Sequence, residues 1–386
     1  MLVLLFVLWI FIQVVIGYNL LLPFILSLVH YFVRPKGLSG VSETEPDYAV
    51  IITAYQYTDT LPQAVASVLK LNYDKFLVYV VADNCDTSTL TFDDERVILL
   101  KPEHVLKGNT RSHFYAIDRF KRQHDYITII DSDNVVHPEY LNEITKCLNQ
   151  GFDAVQGLRE AKNLDTTYAC LDAARDLYYH HFDCKVLFES GSSSTLSGSG
   201  MAFATSLYKE CLQNEQISGA GFDKILQARI VQRDKRIAFA PSAILYDEKT
   251  SQPQQLVDQR SRWLNTWFKY FKLGFLLLWK GVNNFSWNQF LFGLILLRPP
   301  LFLFLILSVL LMLANLYVNP FISLIWMLAL AVFTICFFKA LLFSKADRRI
   351  YKALIGIPKF VFYQIISLTK VRKANIRSVS TRHYRT

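Results

Sequence analysis

Hydrophobic positions fall into long unbroken runs toward the two ends of the chain and short, interrupted runs between them. Residues 2–32 contain no Asp, Glu, Lys or Arg, a stretch longer than the about 20 residues that a helix needs to cross a hydrocarbon core. The stretch lacks the positive n-region, short apolar segment and small-residue cleavage site of a signal peptide, so it reads as one tilted transmembrane helix. Toward the other end, residues 285–297 are too short to cross and stop at Arg298-Pro299-Pro300, the pattern of an interfacial or re-entrant helix. Residues 301–318 and 321–338 are charge-free and just long enough to span, and the uncharged turn Tyr317-Val318-Asn319-Pro320 joins them into a hairpin.

The middle of the chain has a different rhythm. Short β-branched runs at 48–53, 77–82, 97–100 and 126–130 alternate with helical patterns at 61–71 and 109–121. Such alternation predicts a parallel, doubly wound α/β sheet covered on both faces, with ligands outside the carboxyl ends of its strands. Two acidic clusters fall at that rim: Asp83-Asn84-Cys85-Asp86 comes after the second run and Asp131-Ser132-Asp133-Asn134 after the fourth. Residues of this kind after a strand also cap the helix that comes next, and one cluster alone does not separate the two roles. Carboxylates this close repel unless they face water or share a cation. Asp131 and Asp133 can reach one Mg2+ or Mn2+ that keeps several waters and binds a diphosphate.

Composition and charge sharpen the membrane reading. A hydrophobic fraction of 52% and a mean hydropathy of +0.23 argue against a purely soluble chain. The net charge is +9, yet residues 344–386 alone hold eleven Lys or Arg against one acid, Asp347, so the basic character belongs to the tail. The tail also contains an apolar run at 353–368, with Phe360, Phe362 and Tyr363 close to two spans. It therefore reads as a helix lying on anionic headgroups, not as a nucleic-acid site. Arg34 and Lys36, the first charges after the N-terminal run, place the central region of the chain in the cytoplasm, and a fourth span at 353–368 would put the tail charges outside. The expected layout is a span at 1–33, a cytoplasmic domain at 34–281, an interfacial helix and hairpin at 282–343 and a basic tail at 344–386, in a multi-pass protein of the inner or plasma membrane. Cys85, Cys147, Cys170, Cys184, Cys211 and Cys336 show no CxxC pairing, so free thiols are expected, without zinc site or disulfide framework.

Four motifs, in order, resemble the membrane-bound branch of the family-2 glycosyltransferases that includes cellulose, hyaluronan and poly-N-acetylglucosamine synthases. They are VIITAYQ at 50–56, VVADNCD at 80–86, IIDSDN at 129–134 and QRSRW at 259–263. The resemblance covers about residues 49–267 and implies a GT-A fold, a doubly wound mixed sheet. It implies donor binding by Thr53, Ala54 and Tyr55, by Asp83 near the base, and by Asp131 and Asp133 as metal ligands. QRSRW matches the QxxRW signature, a helix at the membrane surface beside donor diphosphate and acceptor. Gln259 and Arg262 are then the diphosphate contacts, Arg262 through its forked guanidinium, and Trp263 offers a flat face to an acceptor sugar. The family's acidic motif, commonly written ED, appears as Phe222-Asp223, so the Glu is replaced while Asp223 carries over as catalytic base. Gly198, Ser199 and Gly200, in GSGMAF, resemble the acceptor-side loop, where glycines let backbone approach a sugar. Gln156 and Arg159 either touch the acceptor or cover the sheet edge.

The resemblance thus implies inverting transfer of a hexosyl or N-acetylhexosaminyl group from a nucleotide sugar, UDP by likeness, to a lipid, lipid-linked or glycan acceptor. Asp223 acts as base, and the metal with Arg262 stabilises the leaving diphosphate. Three spans are few for a polymer channel in one subunit, and Thr266 stands where cellulose-type synthases often have Gly. Single transfer, as in ceramide glucosyltransferases, is therefore expected ahead of processive polysaccharide synthesis, alone or with a membrane partner subunit. An inactive scaffold is a third reading, supported only by Phe222. His180-His181 reads as a surface pair, and His113 and His137 as surface or capping histidines.

Overall fold

The computed structural model describes residues 2–33, 44–215, 217 and 219–374. Arg34 and Lys36, which set the expected sidedness of the domain, lie outside the described residues, as does the tail beyond 374.

Eight strands form one sheet: β1 (Tyr48–Tyr55), β2 (Phe76–Asp83), β3 (Val97–Leu100), β4 (Tyr126–Asp131), β5 (Val135–Val136), β6 (Ala154–Ala161), β7 (Met201–Ala204) and β8 (Ala238–Asp247). Their order across the sheet is β3-β2-β1-β4-β7-β6-β8-β5. β1 to β4 run parallel, because each crossover carries a helix or long connection, while β7 lies antiparallel between β4 and β6. The sheet is therefore mixed, as the family resemblance implies, and not wholly parallel as the alternation of strands and helices alone suggests. β1 and β2 read as continuous apolar runs because both faces are covered. Val50, Ile52, Val78 and Val80 pack under helices Leu61–Val68 and Tyr140–Asn149, and Ala49, Ile51, Tyr79 and Val81 face helices Asn109–Ile117 and Phe222–Gln232. Register puts Tyr55 opposite Asp83 and Thr53 opposite Asp131, so both acidic clusters do share one rim.

The pairing of β6 with β8 breaks after Gly157, whose partner is Ala240, and resumes at Leu158 with Ile244. Pro241 lies in the bypassed stretch, where a residue without an N–H costs the ladder nothing. A Cβ on Gly157 would lie 2.5 Å from the Ala243 carbonyl oxygen, which only glycine avoids.

Four described helices are long and apolar enough to cross a membrane: Val3–Phe32, Leu301–Val318, Pro320–Phe343 and Arg348–Lys373, one more than the three counted from sequence. The first three pack together, and the Gln13 side-chain oxygen accepts hydrogen bonds from Asn315 (2.8 Å) and the Trp326 indole (2.9 Å), a polar tie of the kind that joins helices in lipid. Asn319 caps the hairpin turn by accepting from the Phe321 N–H at 3.1 Å. The fourth is interrupted by a tighter turn at Leu354–Gly356. It lies along helix Pro253–Tyr270, where Lys370 pairs with Asp258 at 3.2 Å and Asn265 donates to the Val371 carbonyl at 2.9 Å. Helices Leu273–Asn283 and Trp287–Leu297 form a tight pair through Gly274 and Gly293, where a Cβ on Gly274 would meet the Gly293 carbonyl at 2.8 Å. The expected domain boundary at 281 falls inside the first of these helices.

All six cysteines are free thiols. The histidine expectations need correcting: His180 and His181 are buried in a widened π-type turn, His180–Val186, that interrupts the helix begun at Thr167. His113 is fully buried with its Nδ1 2.6 Å from the Tyr208 hydroxyl. His137 does cap, accepting the Glu139 N–H at 3.3 Å.

Candidate active site

A cavity of about 650 Å³ opens at the carboxyl rim and is lined by residues of all four motifs. The end of β1 contributes Thr53, Ala54 and Tyr55, the end of β2 Asp83, and the turn after β4 Asp131 and Asp133. Helix Phe222–Gln232 adds Asp223, and helix Pro253–Tyr270 adds Gln259, Arg262 and Trp263.

Asp83 is 2% exposed, and its two oxygens accept the backbone N–H groups of Leu106 and Lys107, each at 2.9 Å. Those bonds pin the loop that leads into helix Asn109–Ile117, so the carboxylate shapes this wall of the cavity through backbone as well as standing in it. The Asp131–Asp133 turn is braced from behind. The Asp131 N–H donates to the Ser199 hydroxyl at 3.0 Å, that hydroxyl donates to Asn134 at 2.5 Å, and the Asn134 amide donates to Asp133 at 3.2 Å. Of the expected acceptor-side loop only Gly198 lines the cavity; Ser199 is fully buried and Gly200 donates to the Ile129 carbonyl at 2.9 Å. Gln156, 1% exposed, holds the same loop, donating to the Ser199 carbonyl at 3.1 Å and accepting the Ser197 N–H at 2.9 Å. It does not line the cavity, and its strand lies inside the sheet, away from the edge.

Among the described residues no cluster of three or more His, Cys, Asp or Glu side chains could hold a metal by itself. Two carboxylates on one turn facing a cavity are the donor set of a hard cation that takes its other ligands from water and a diphosphate. Asp131 and Asp133 fit Mg2+ or Mn2+ on that ground, and do not fit a closed structural zinc site.

Asp223 sits in the first turn of its helix, where the helix dipole favours a carboxylate, with the Lys224 ammonium 3.7 Å away. The preceding Gly221 has φ +108°, and a Cβ there would fall 2.5 Å from Thr266 Cγ2. Glycine thus lets the Asp223 loop press directly on the QxxRW helix. Phe222, where the family has Glu, is 4% exposed and packs edge-on against His113 with ring centroids 5.1 Å apart. On the QxxRW helix, Gln259 accepts from the Thr250 hydroxyl at 3.1 Å, and burial pulls the Arg262 guanidinium below its ordinary pKa. Trp263 carries the guanidinium of Arg260 at 4.0 Å and that of Arg175 at 4.3 Å from its ring centroid, so part of the face expected for a sugar is covered by cations.

Of the charges behind this wall, sequence reasoning singled out only Arg159, which lines the cavity from an inner strand. Asp172, Arg175 and Asp176 on helix Thr167–Tyr179 join Arg159, Asp247, Lys249 and Arg260 in a continuous ionic network. Lys249, Asp172 and Arg260 are at most 3% exposed, and breaking such a buried pair by removing one partner costs about 3–5 kcal/mol. Arg298, just before helix Leu301–Val318, grips Asp183 with both terminal nitrogens. The only signal in the sequence was the spacing of Asp172, Arg175 and Asp176 among alanines and Cys170, which also fits a solvated helix face.

Residues 46–266 match the family described as Glycosyltransferase like family 2. The chain is similar in structure to the mannosyltransferase PcManGT from Pyrobaculum calidifontis in complex with GDP-Man and Mn2+, with a TM-score of 0.55 and 14% identity over 92% of this chain and 98% of that one. At this identity the likeness is one of fold. TarS from S. aureus is similar more loosely, with a TM-score of 0.40 and 13% identity over 64% of this chain and 54% of that one. No curated protein matches the chain.

Proposed function

The chain belongs to the family-2 glycosyltransferases, and on that footing we propose that it moves one sugar from a nucleotide-sugar donor to a lipid or lipid-linked acceptor at a membrane surface, inverting the anomeric carbon. One observation carries the reading. A single cavity holds Asp131, Asp133, Asp223 and Arg262 together with Pro299, Pro300, Leu301 and Phe302, the start of an apolar helix long enough to span. Polar chemistry and the start of an apolar helix share one space, as transfer to a lipid requires.

Thr53, Ala54 and Tyr55, with the loop held by Asp83, cradle the nucleoside. Asp131 and Asp133 would hold Mg2+ or Mn2+, which would supply charge neutralisation for the departing diphosphate. The Asp223 carboxylate takes the acceptor hydroxyl proton as that oxygen attacks the anomeric carbon from the face opposite the diphosphate. Arg262 offers its forked N–H groups to the diphosphate, in a site where burial strengthens them. The sheet domain lies on the cytoplasmic side of an inner or plasma membrane, anchored by the three packed spans, with helix Arg348–Lys373 at the surface beside the QxxRW helix. UDP is the nucleotide favoured by the sequence resemblance. PcManGT holds GDP-Man and Mn2+, which supports a nucleotide sugar with a divalent cation and adds GDP-sugars to the candidates.

The test is a panel of radiolabelled UDP- and GDP-sugars offered to the purified chain in nanodiscs of extracted membrane lipid, with Mn2+ or Mg2+. One donor is expected to place label in the organic phase as a single added sugar, with anomeric configuration opposite to the donor's. A ladder of products identifies a processive synthase instead, and a retained configuration contradicts the single displacement.

A further inference from the structure

Among the described residues, the ionic network behind the cavity joins four cations to three anions. Its cations are Arg159, Arg175, Lys249 and Arg260, and its anions are Asp172, Asp176 and Asp247. Lys249 reaches Asp176 and Asp247, both at 2.6 Å, and Arg175 reaches Asp172 and Asp176. Arg159 joins Asp247 and donates to the Ser197 carbonyl at 2.6 Å. Among the described residues Arg260 pairs with one carboxylate, Asp172, through one terminal nitrogen, shares that oxygen with Arg175, and lays its guanidinium over the Trp263 ring. Arg260 is 3% exposed, lines the cavity, and its Nε and Nη1 have no hydrogen-bond partner. The Nε of Arg175 is likewise without one.

Buried donors left in this state are costly unless a ligand completes them. The titration behaviour agrees: burial and the neighbouring Arg175 pull Arg260 down to about 10. Arg159, whose side chain is 20% exposed and whose Nε also lacks a partner, lies against Asp247 and is raised instead.

Arg175 and Arg260 both line the cavity, and their neighbours place them within it. Arg175 and Arg298 both lie over the Tyr179 ring, 5.7 and 5.3 Å from its centroid, and Arg298 leads through Pro299 and Pro300 into the apolar helix Leu301–Val318. In the other direction the network ends at the Ser197 carbonyl, two residues from the Ser199 hydroxyl on which Asp131 rests. The Arg260 and Arg175 pair therefore stands between the apolar end of the cavity and the carboxylate turn. Arg260 and Arg262 are two residues apart on one helix, which turns them about 200° from each other around its axis. One group cannot serve both, and with the donor diphosphate assigned to Arg262, Arg260 is left for a different anion.

We propose that Arg260 and Arg175 hold the phosphate of an anionic lipid acceptor, whose chain leaves past Pro299 and Phe302 and whose hydroxyl, beyond the phosphate, reaches Asp223. The inference rests on the glycosyltransferase reading and narrows its acceptor to lipids with a phosphate between tail and nucleophile. The lipid phosphate makes and breaks no bond. The acceptor oxygen bonds to the anomeric carbon, the bond from that carbon to the diphosphate breaks, the electron pair leaves with the nucleoside diphosphate, and the hydroxyl proton passes to Asp223.

The test measures binding of dodecyl phosphate and of dodecanol to the full chain in detergent, with UDP or GDP and Mn2+ titrated in the same preparation. Dodecyl phosphate is expected to bind at least about tenfold more tightly, the worth of one charge-assisted hydrogen bond. It should remain bound when the nucleotide saturates. Arg260→Gln should lose the preference while still binding nucleotide, which shows that it is folded, and Arg260→Lys, which keeps the charge on Asp172, should fall between. Equal binding of the two probes overturns the proposal. So does displacement by the nucleotide, which returns Arg260 to the donor, or a preference that survives in Arg260→Gln, which traces it to the basic tail. A native chain that binds neither UDP nor GDP with Mn2+ overturns the glycosyltransferase reading and this inference with it, whereas nucleotide binding without discrimination between the probes overturns this inference alone.

Discussion

Asp223→Asn is expected to stop sugar transfer while leaving donor binding nearly untouched. The amide is isosteric, so the helix start at Gly221 and its contact with Thr266 are retained, and only the proton acceptor is lost. General-base catalysis contributes on the order of 10²–10⁴ in rate, and kcat should fall by about that factor. Asp223 is only half-buried and the cation beside it, Lys224 at 3.7 Å, reaches solvent, so neutralising it strands no buried charge and the fold should hold. Stopped assays of product, with nucleotide affinity from a separate titration, check both halves. Equal loss of binding and turnover would show that Asp223 holds the donor and does not act as a base.

The second large effect is expected at the acidic turn, and it has the opposite signature. Asp131→Asn with Asp133→Asn removes both carboxylate charges of that turn, so the apparent affinities for Mn2+ and for the nucleotide should fall together. Preorganised charge of this kind is worth about 3–4 kcal/mol at the transition state, or 10²–10³ in rate. The Ser199 brace uses the Asp131 backbone N–H, which the substitution leaves in place, so the loss should appear in metal dependence and not in thermal stability. EDTA should stop the native chain, and added Mn2+ or Mg2+ should restore it. Full turnover in EDTA would contradict the metal assignment.

How much of the fold and site was legible in the chain depends on where the information sits. β1, β2 and β4 were readable to within two residues because strands buried on both faces are plain β-branched runs, and the acids that end them fall at the rim by topology alone. β6, with Gln156, Arg159 and Glu160 inside it, and β8, with Pro241, carry no such run, since their polar residues are there to hold the glycine loop and the ionic network. The histidines were misjudged for a related reason. Burial is a tertiary property, and nothing local to His113 says that Tyr208 and Phe222 close over it. Phe222 itself explains its departure from the family pattern only in three dimensions, where it packs into the core beneath the base loop. Arg260 was hidden inside a motif whose named positions flank it: QRSRW drew the eye to Gln259 and Arg262, while the unsatisfied guanidinium lay between them.

The most direct measurement is a crystal structure of the full chain with a nucleoside diphosphate and Mn2+ bound. The predicted result is Mn2+ on Asp131 and Asp133, the diphosphate between that metal and Arg262, the nucleoside against Thr53, Ala54 and Tyr55, and the Asp223 carboxylate facing the space where the sugar would sit. Nucleotide bound outside this cavity, or metal held away from the acidic turn, would contradict it.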